Sequence, residues 1–306
     1  MNSDTRRIEA QARFDRLWKT DPHQFDPQRN AMERERLHRS FDLLNRKIDL
    51  DQKKIADLGC GQGDFTTLLS EKGALVDAVD ISGIALKRLK EKGAKNIQTF
   101  QDYLPSTTLS DNAYDGVVCL DLIAYLPKDE YRLLFSELAR LVKNEGIVLG
   151  SSALDIRSDD AVQRLNALVE TEFQVEEWVF GYHRLWIRLK EFFEAPRHYS
   201  RAGRDPEYRN RILKERKGFS RRWFEWNSHT PLSTAWGGLA WILSPLTHYI
   251  DHSRSLLLTL EKLSKFIWNQ EGISHAIFIG KRRPLFVHLP EKEIPRVHKG
   301  KRQVWE

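Results

Sequence analysis

The chain has 306 residues, 41% hydrophobic and 30% charged, which is enough apolar surface to bury a core and excludes a disordered polymer. Its two cysteines, Cys60 and Cys119, form no C-x-x-C pair, so a disulfide scaffold and a zinc ribbon are excluded and a reducing, cytoplasmic setting is expected. The net charge of +6 is unevenly shared: residues 1–180 hold 25 basic and 31 acidic side chains, residues 181–306 hold 24 and 12. Such a basic half suits nucleic acid, anionic lipid headgroups or a phosphorylated ligand, and charge alone does not choose among them.

In chain order, residues 1–50 read as a helical lead-in that covers the core. Its start is charged and lacks the apolar run of a secretory leader. Met32, Leu37, Phe41, Leu44 and Ile48 then recur near a helical period. Across 51–180 the pattern changes to short apolar runs (KKIADLG, ALVDAVD, NIQTF, YDGVVCL, GIVLGSS) separated by helix-like segments. That alternation predicts a parallel sheet of βα units. TEFQVEEWVF and, at 273–283, ISHAIFIGKRR predict a terminal strand pair, with an aromatic and basic insertion at 181–272 between them. Residues 284–306 form a basic, proline-punctuated tail. Trp226–Ile250 is uncharged but carries Asn227, Ser228, His229, glycines and prolines. It is too broken for a transmembrane span; an irregular lid segment packed on the sheet and the wall of an apolar acceptor pocket are equally expected there, with a patch resting on a membrane surface behind them.

The most informative stretch is Asp57-Leu58-Gly59-Cys60-Gly61-Gln62-Gly63-Asp64, where a strand runs into three alternate glycines and a helix begins. Glycines let the backbone turn sharply and let a ligand approach closely. Asp64 stands where a dinucleotide fingerprint needs its third glycine or an alanine, and a carboxylate there opposes a pyrophosphate. Asp80, at the tip of the next strand, is placed to accept two ribose hydroxyls. Asp102 follows the third strand and is placed to meet an adenine amino group, with Gln101 as a weaker candidate.

DLGCGQG, VDIS, FQDYLP and YDGVVCLDLIAYLP together resemble the successive motifs of class I S-adenosylmethionine-dependent methyltransferases, in the branch that includes ubiquinone and menaquinone biosynthesis enzymes. The resemblance covers about residues 50–180 and 272–283. It implies a Rossmann-like α/β fold: a seven-stranded, mostly parallel sheet with flanking helices and one antiparallel strand near the C-terminus. It also implies S-adenosylmethionine as methyl donor. Asp57 would orient its amine, Gly59, Gly61 and Gly63 would line the methionine portion, Asp80 would hold the ribose and Asp102 the adenine. Cys119, Leu120 and Asp121 would close over the cofactor, and Cys60, Ile81 and Tyr103 complete the expected binding set. Many relatives place histidine where this chain has Tyr125, so a histidine base does not carry over from the family.

A base is needed only if the acceptor must lose a proton. The candidates are His183 and Tyr182, just after the sixth strand, then Tyr125 and His198. His248 and His252 stand four apart with no third ligand in sight, so no metal is expected. The expected partner is a small-molecule acceptor, an amphipathic lipid or quinone-like intermediate. The insertion is its expected lid, and peripheral contact with a membrane is a further expectation. An RNA methyltransferase and a non-catalytic S-adenosylmethionine-binding module are the alternatives. Nucleic acid is disfavoured, since no RNA-binding module signature is apparent.

Overall fold

Apolar runs that stop at a polar residue form strands, and the amphipathic segments between them form helices, in the computed structural model, which describes residues 3–21, 26–155, 158, 160–229 and 231–284. Two helices lead, α1 (Ser3–Thr20) and α2 (Ala31–Lys47). α2 starts sharply because the Asn30 side chain accepts the backbone N–H groups of Met32 and Glu33. The core follows as β1 (Lys54–Leu58), α3 (Asp64–Glu71), β2 (Leu75–Val79), α4 (Gly83–Glu91), β3 (Ile97–Phe100), β4 (Tyr114–Leu120), α5 (Tyr131–Leu141), β5 (Val142–Ala153), α6 (Ala161–Val169) and β6 (Phe173–Gly181). Five more helices come next: α7 (Arg184–Arg204), α8 (Pro206–Glu215), α9 (Gly218–Asn227), α10 (Leu232–His252) and α11 (Arg254–Trp268). The strand β7 (His275–Arg282) completes the sheet.

The seven strands are ordered β3-β2-β1-β4-β5-β7-β6, and β7 runs antiparallel to both of its neighbours. The alternation along β7 shows why the sheet is covered on both faces. Ala276 and Phe278 join a cluster with Leu134, Phe135 and Leu138 of α5, while Ile277 and Ile279 join Leu43 and Leu44 of α2 and Phe65 and Leu69 of α3. This is the Rossmann-like, mostly parallel sheet expected from the sequence.

The chain leaves the sheet at Gly181 and returns at His275, which lie opposite each other across β6 and β7. The helices between them build small cores of their own, one around Trp186, Ile250 and Leu257 with Ala31 of α2, another around Ala202, Tyr208, Leu213 and Phe224. Here one expectation is corrected. Most of Trp226–Ile250 is helical, in the end of α9 and in α10, despite Gly237, Gly238 and Pro245. Close packing on α7 offsets the weak helix formers. An added Cβ at Gly237 would come within 2.9 Å of the Ser200 hydroxyl, and one at Gly203 within 2.2 Å of Ser233. Among the described residues no helix is long and apolar enough to cross a membrane. The tail beyond Pro284 lies outside the described residues.

Candidate active site

Strand order reverses between β1 and β4, and in open α/β sheets the crevice outside the strand ends at that point is where ligands bind. A cavity of about 540 Å³ lies there. Its floor is the glycine loop and the strand tips. Its walls are α1, through Arg6, Arg13, Phe14 and Trp18, and α2, through Glu33, Arg36, Leu37 and Ser40.

The glycine loop takes its shape from left-handed backbone at Gly61 (φ 55°) and Gly63 (φ 80°). Space is short as well, because a Cβ on Gly61 would lie 2.9 Å from the Trp18 ring. Asp80 secures the loop by accepting the Gly61 N–H at 2.9 Å and the Ser82 N–H at 2.8 Å. Burial raises its carboxyl above the usual range, against those backbone bonds. Asp57 is buried and accepts a hydroxyl hydrogen bond from Thr66 at 2.6 Å. Burial pushes its carboxyl up to about 6. Asp102 is anchored by the Thr108 N–H and hydroxyl, both 2.8 Å from one oxygen, which leaves the other for a ligand. Tyr103 donates to Glu130 at 3.2 Å.

Just past the tip of β4, Asp121 sits in left-handed backbone at φ 55°, a conformation that asparagine and aspartate tolerate better than most residues. Its carboxylate accepts from Arg36 at 2.9 Å, His275 Nε2 at 2.8 Å and Ser151 at 3.0 Å. Although burial opposes ionisation, Arg36 and His275 hold this acid well below the usual carboxylate range. Glu33 also bonds Arg36, yet burial leaves its own carboxyl raised. Tyr125 completes this group, with Phe14 packed edge-on at 5.5 Å and the Arg13 guanidinium 5.9 Å from its ring. Burial raises its phenol too, so it is a hydrogen-bond donor and no base at neutral pH.

Of the residues singled out from sequence, Asp57, Gly59, Cys60, Gly61, Asp80, Ile81, Asp102, Tyr103, Leu120, Asp121 and Tyr125 line this one cavity. Gly63, Gln101 and Cys119 stand behind it. Gly63 opens α3, Gln101 bonds the Ile81 carbonyl, and Cys119 is buried within β4. Three base candidates are displaced from the cavity. His183 is enclosed by Ser274 and Glu261, and burial lowers its imidazole to about 4. Tyr182 lies under Lys265, and His198 Nδ1 is 2.6 Å from the Tyr208 hydroxyl on α8. Among the described residues none of the 181–272 insertion lines the cavity, so the walls expected from it come from α1 and α2.

Sequence reasoning missed Phe14, Trp18, Glu33, Arg36 and His275. A signal existed for α2, since Glu33, Arg36, Leu37 and Ser40 share the i, i+3, i+4, i+7 spacing of one helix face. The residues present fit an adenosyl sulfonium ligand. Seven carboxylates and three guanidiniums line the cavity, which favours a cation, and the loop cradle is one that a Cβ would fill. The buried Asp57, whose bonding partner is a neutral hydroxyl, gains most from an ammonium group.

Comparison with known proteins relates part of the chain to methyltransferases. Residues 55–146 match the family model described as a methyltransferase domain. The chain is 25% identical over 177 residues to a ubiquinone biosynthesis O-methyltransferase of Dechloromonas aromatica, covering 55% of this chain and 71% of that protein. It is 29% identical to the chloroplastic magnesium protoporphyrin IX methyltransferase of Arabidopsis thaliana, over 35% of each chain. A crystal structure of the magnesium protoporphyrin IX methyltransferase from Synechocystis PCC 6803 aligns at 18% identity and a TM-score of 0.46, over 57% of this chain and 92% of that one. The chain thus spans most of the first relative and about a third of the second.

Proposed function

We propose that the chain, whose residues 55–146 match a methyltransferase domain, is a class I S-adenosylmethionine-dependent methyltransferase that acts on a small molecule with an apolar body and a polar or anionic head. The observation that carries this reading is a cavity whose lining combines two unlike sets of residues. One set is the glycine loop with Asp57, Asp80 and Asp102. The other is Phe14, Leu126 and Pro127 beside Arg13. The first set suits the donor, which supplies an activated methyl group when bound. The second suits an amphipathic acceptor of the quinone or lipid type. The names of the two relatives above, which concern a quinone and a porphyrin, support an acceptor of this size.

The protein's task in such a transfer is to align two reactants and exclude water. α1 and α2 serve the second purpose by walling the cavity. Arg13, held over the Phe14 and Tyr125 rings, is positioned to receive an anionic head. Where the acceptor must lose a proton, Glu33 is the group suited to take it, because it lines the cavity and burial raises its carboxyl. An RNA acceptor fits less well, since the sequence carries no signature of an RNA-binding module.

The test is calorimetric titration with S-adenosylmethionine, followed by transfer of labelled methyl groups to lipid, quinone, polar-metabolite and RNA fractions. Binding plus labelling of an apolar small-molecule fraction is the expected result. No binding at millimolar donor, or label in RNA alone, would overturn the reading.

A further inference from the structure

The inserted helices carry a surface that the core and the cavity leave unexplained. α10 is built inside out. Its inward face meets α7 through small residues, Ser233 and Gly237 against Ser200 and Gly203. Five of its large apolar side chains point to water instead, although Ile250 is buried. Trp241 is 78% exposed and Ile242 65%, and Leu239, Leu246 and Tyr249 are exposed along the same helix. Leu239, Ile242, Leu246 and Tyr249 follow a 3-4-3 spacing, so they form one stripe. An exposed stripe of this kind marks an interaction site.

The neighbouring helix carries exposed aromatic and basic groups of its own. On α9, Phe219, Trp223 and Trp226 are exposed and their rings touch in sequence. Trp223 donates to the Tyr199 hydroxyl at 3.2 Å, and Tyr199 packs on Trp236 of α10, which ties the two helices together. Residues 209–222 carry seven basic side chains and one acidic one. Lys217, Arg221 and Arg222 are exposed beside the aromatics.

We propose that the α9–α10 face docks on the surface of an anionic lipid bilayer, with the α10 stripe and the α9 tryptophans in the headgroup boundary and the basic residues on lipid phosphates. Three observations favour this occupant. Large apolar groups outward with small ones inward is the arrangement lipid selects, because close helix contact then comes from small side chains. Tryptophan and tyrosine beside arginine are the side chains that settle at a membrane interface. The charge excess is of the sign that attracts anionic headgroups. A second copy of the chain fits less well, since a twofold contact through this face would set the basic cluster against itself. RNA also fits less well, because Leu239, Ile242 and Leu246 offer neither a stacking plane nor a phosphate partner.

The experiment is co-sedimentation of the full chain with vesicles of phosphatidylcholine alone or with a third phosphatidylglycerol. Donor titration and gel filtration run on the same samples. Two variants separate the contributions, Trp241→Ser with Ile242→Ser and Arg221→Glu with Arg222→Glu, all at exposed positions. The native chain should bind anionic vesicles at least about ten-fold more tightly than neutral ones, with the preference falling as salt rises. Each variant should lose about ten-fold in vesicle affinity while S-adenosylmethionine affinity and melting temperature hold. Failure of the native chain to bind anionic vesicles would overturn the proposal, whatever the donor titration shows. So would native-like vesicle binding by both variants, or a native dimer that the Trp241→Ser, Ile242→Ser variant dissociates. RNA retention lost in the arginine variant, with no vesicle binding, would overturn it as well.

Discussion

Replacing Asp57 by asparagine should stabilise the unliganded protein and weaken its hold on S-adenosylmethionine at the same time. The carboxyl is buried, bonds Thr66, and is pushed from 3.8 up to about 6 by burial. The folded state therefore holds the proton more tightly than the unfolded chain. Its contribution to stability is fully present below pH 4 and is lost as the pH rises through about 6. About two pKa units at 1.36 kcal/mol each correspond to a cost of about 3 kcal/mol at pH 7.5. Asparagine carries no charge to bury and its amide oxygen still accepts from Thr66, so the variant should recover about 2–3 kcal/mol in urea unfolding at pH 7.5 and little at pH 4. Donor affinity should move the other way. Loss of a charge-assisted contact worth about 1.5–3 kcal/mol is a drop of about ten- to hundred-fold by calorimetry. The native protein should also lose donor affinity as the pH falls below about 6, and the variant should not. Unchanged donor affinity, or a variant less stable than the native chain at pH 7.5, would refute the reasoning.

Three further substitutions probe the floor and walls of the cavity. Gly61→Ala forces a side chain into left-handed backbone at a cost of about 1–2 kcal/mol and sets it against Trp18, so donor binding should fail. Trp18→Ala should relieve the second part only, giving a coupling of about 0.5–3 kcal/mol in a double-mutant unfolding cycle. Additive effects would show that Trp18 does not rest on the loop. Glu33→Gln should lower kcat for an acceptor that must be deprotonated while donor affinity stays the same. It should also flatten the acid limb of the pH–rate profile, because the native base form is lost as the pH falls through the raised Glu33 value. A native-like profile would exclude Glu33 as the base.

Strand tips and the glycine loop were legible because their chemistry is local: Asp57, Asp80 and Asp102 each follow an apolar run, and the sheet order brings the run ends together. What was illegible depends on docking. The period of α2 fixes a helix face but not what it meets, so Arg36 could not be paired with Asp121 from sequence. His275 escaped notice because it begins a strand, whereas ligand groups were sought at strand ends. β7 runs antiparallel, so its beginning lies at the carboxyl edge of its neighbours. His183 misled for the converse reason. It follows a strand that ends at the correct edge, and Ser274 and Glu261 then enclose it. The glycines and Pro245 suggested irregular chain at α10, and only the small residues of α7 show why a helix is the better packing there.

The wall formed by α1 has a kinetic consequence. Its cavity-facing residues run from Arg6 to Trp18, more than three turns, and its polar ties to the core include Asp15 to Ser82 and Arg6 to Asp129. Arg6–Asp129 is exposed and of a weak kind, while Asp15–Ser82 is part-buried, so the helix is expected to lift from its Arg6 end before global unfolding. A ligand that enters only when the helix lifts cannot associate faster than the lifting itself. Observed association rates should therefore climb with ligand concentration and then level off at a ceiling set by the helix. Once the helix recloses on a ligand, amide exchange in α1 should slow in proportion to occupancy.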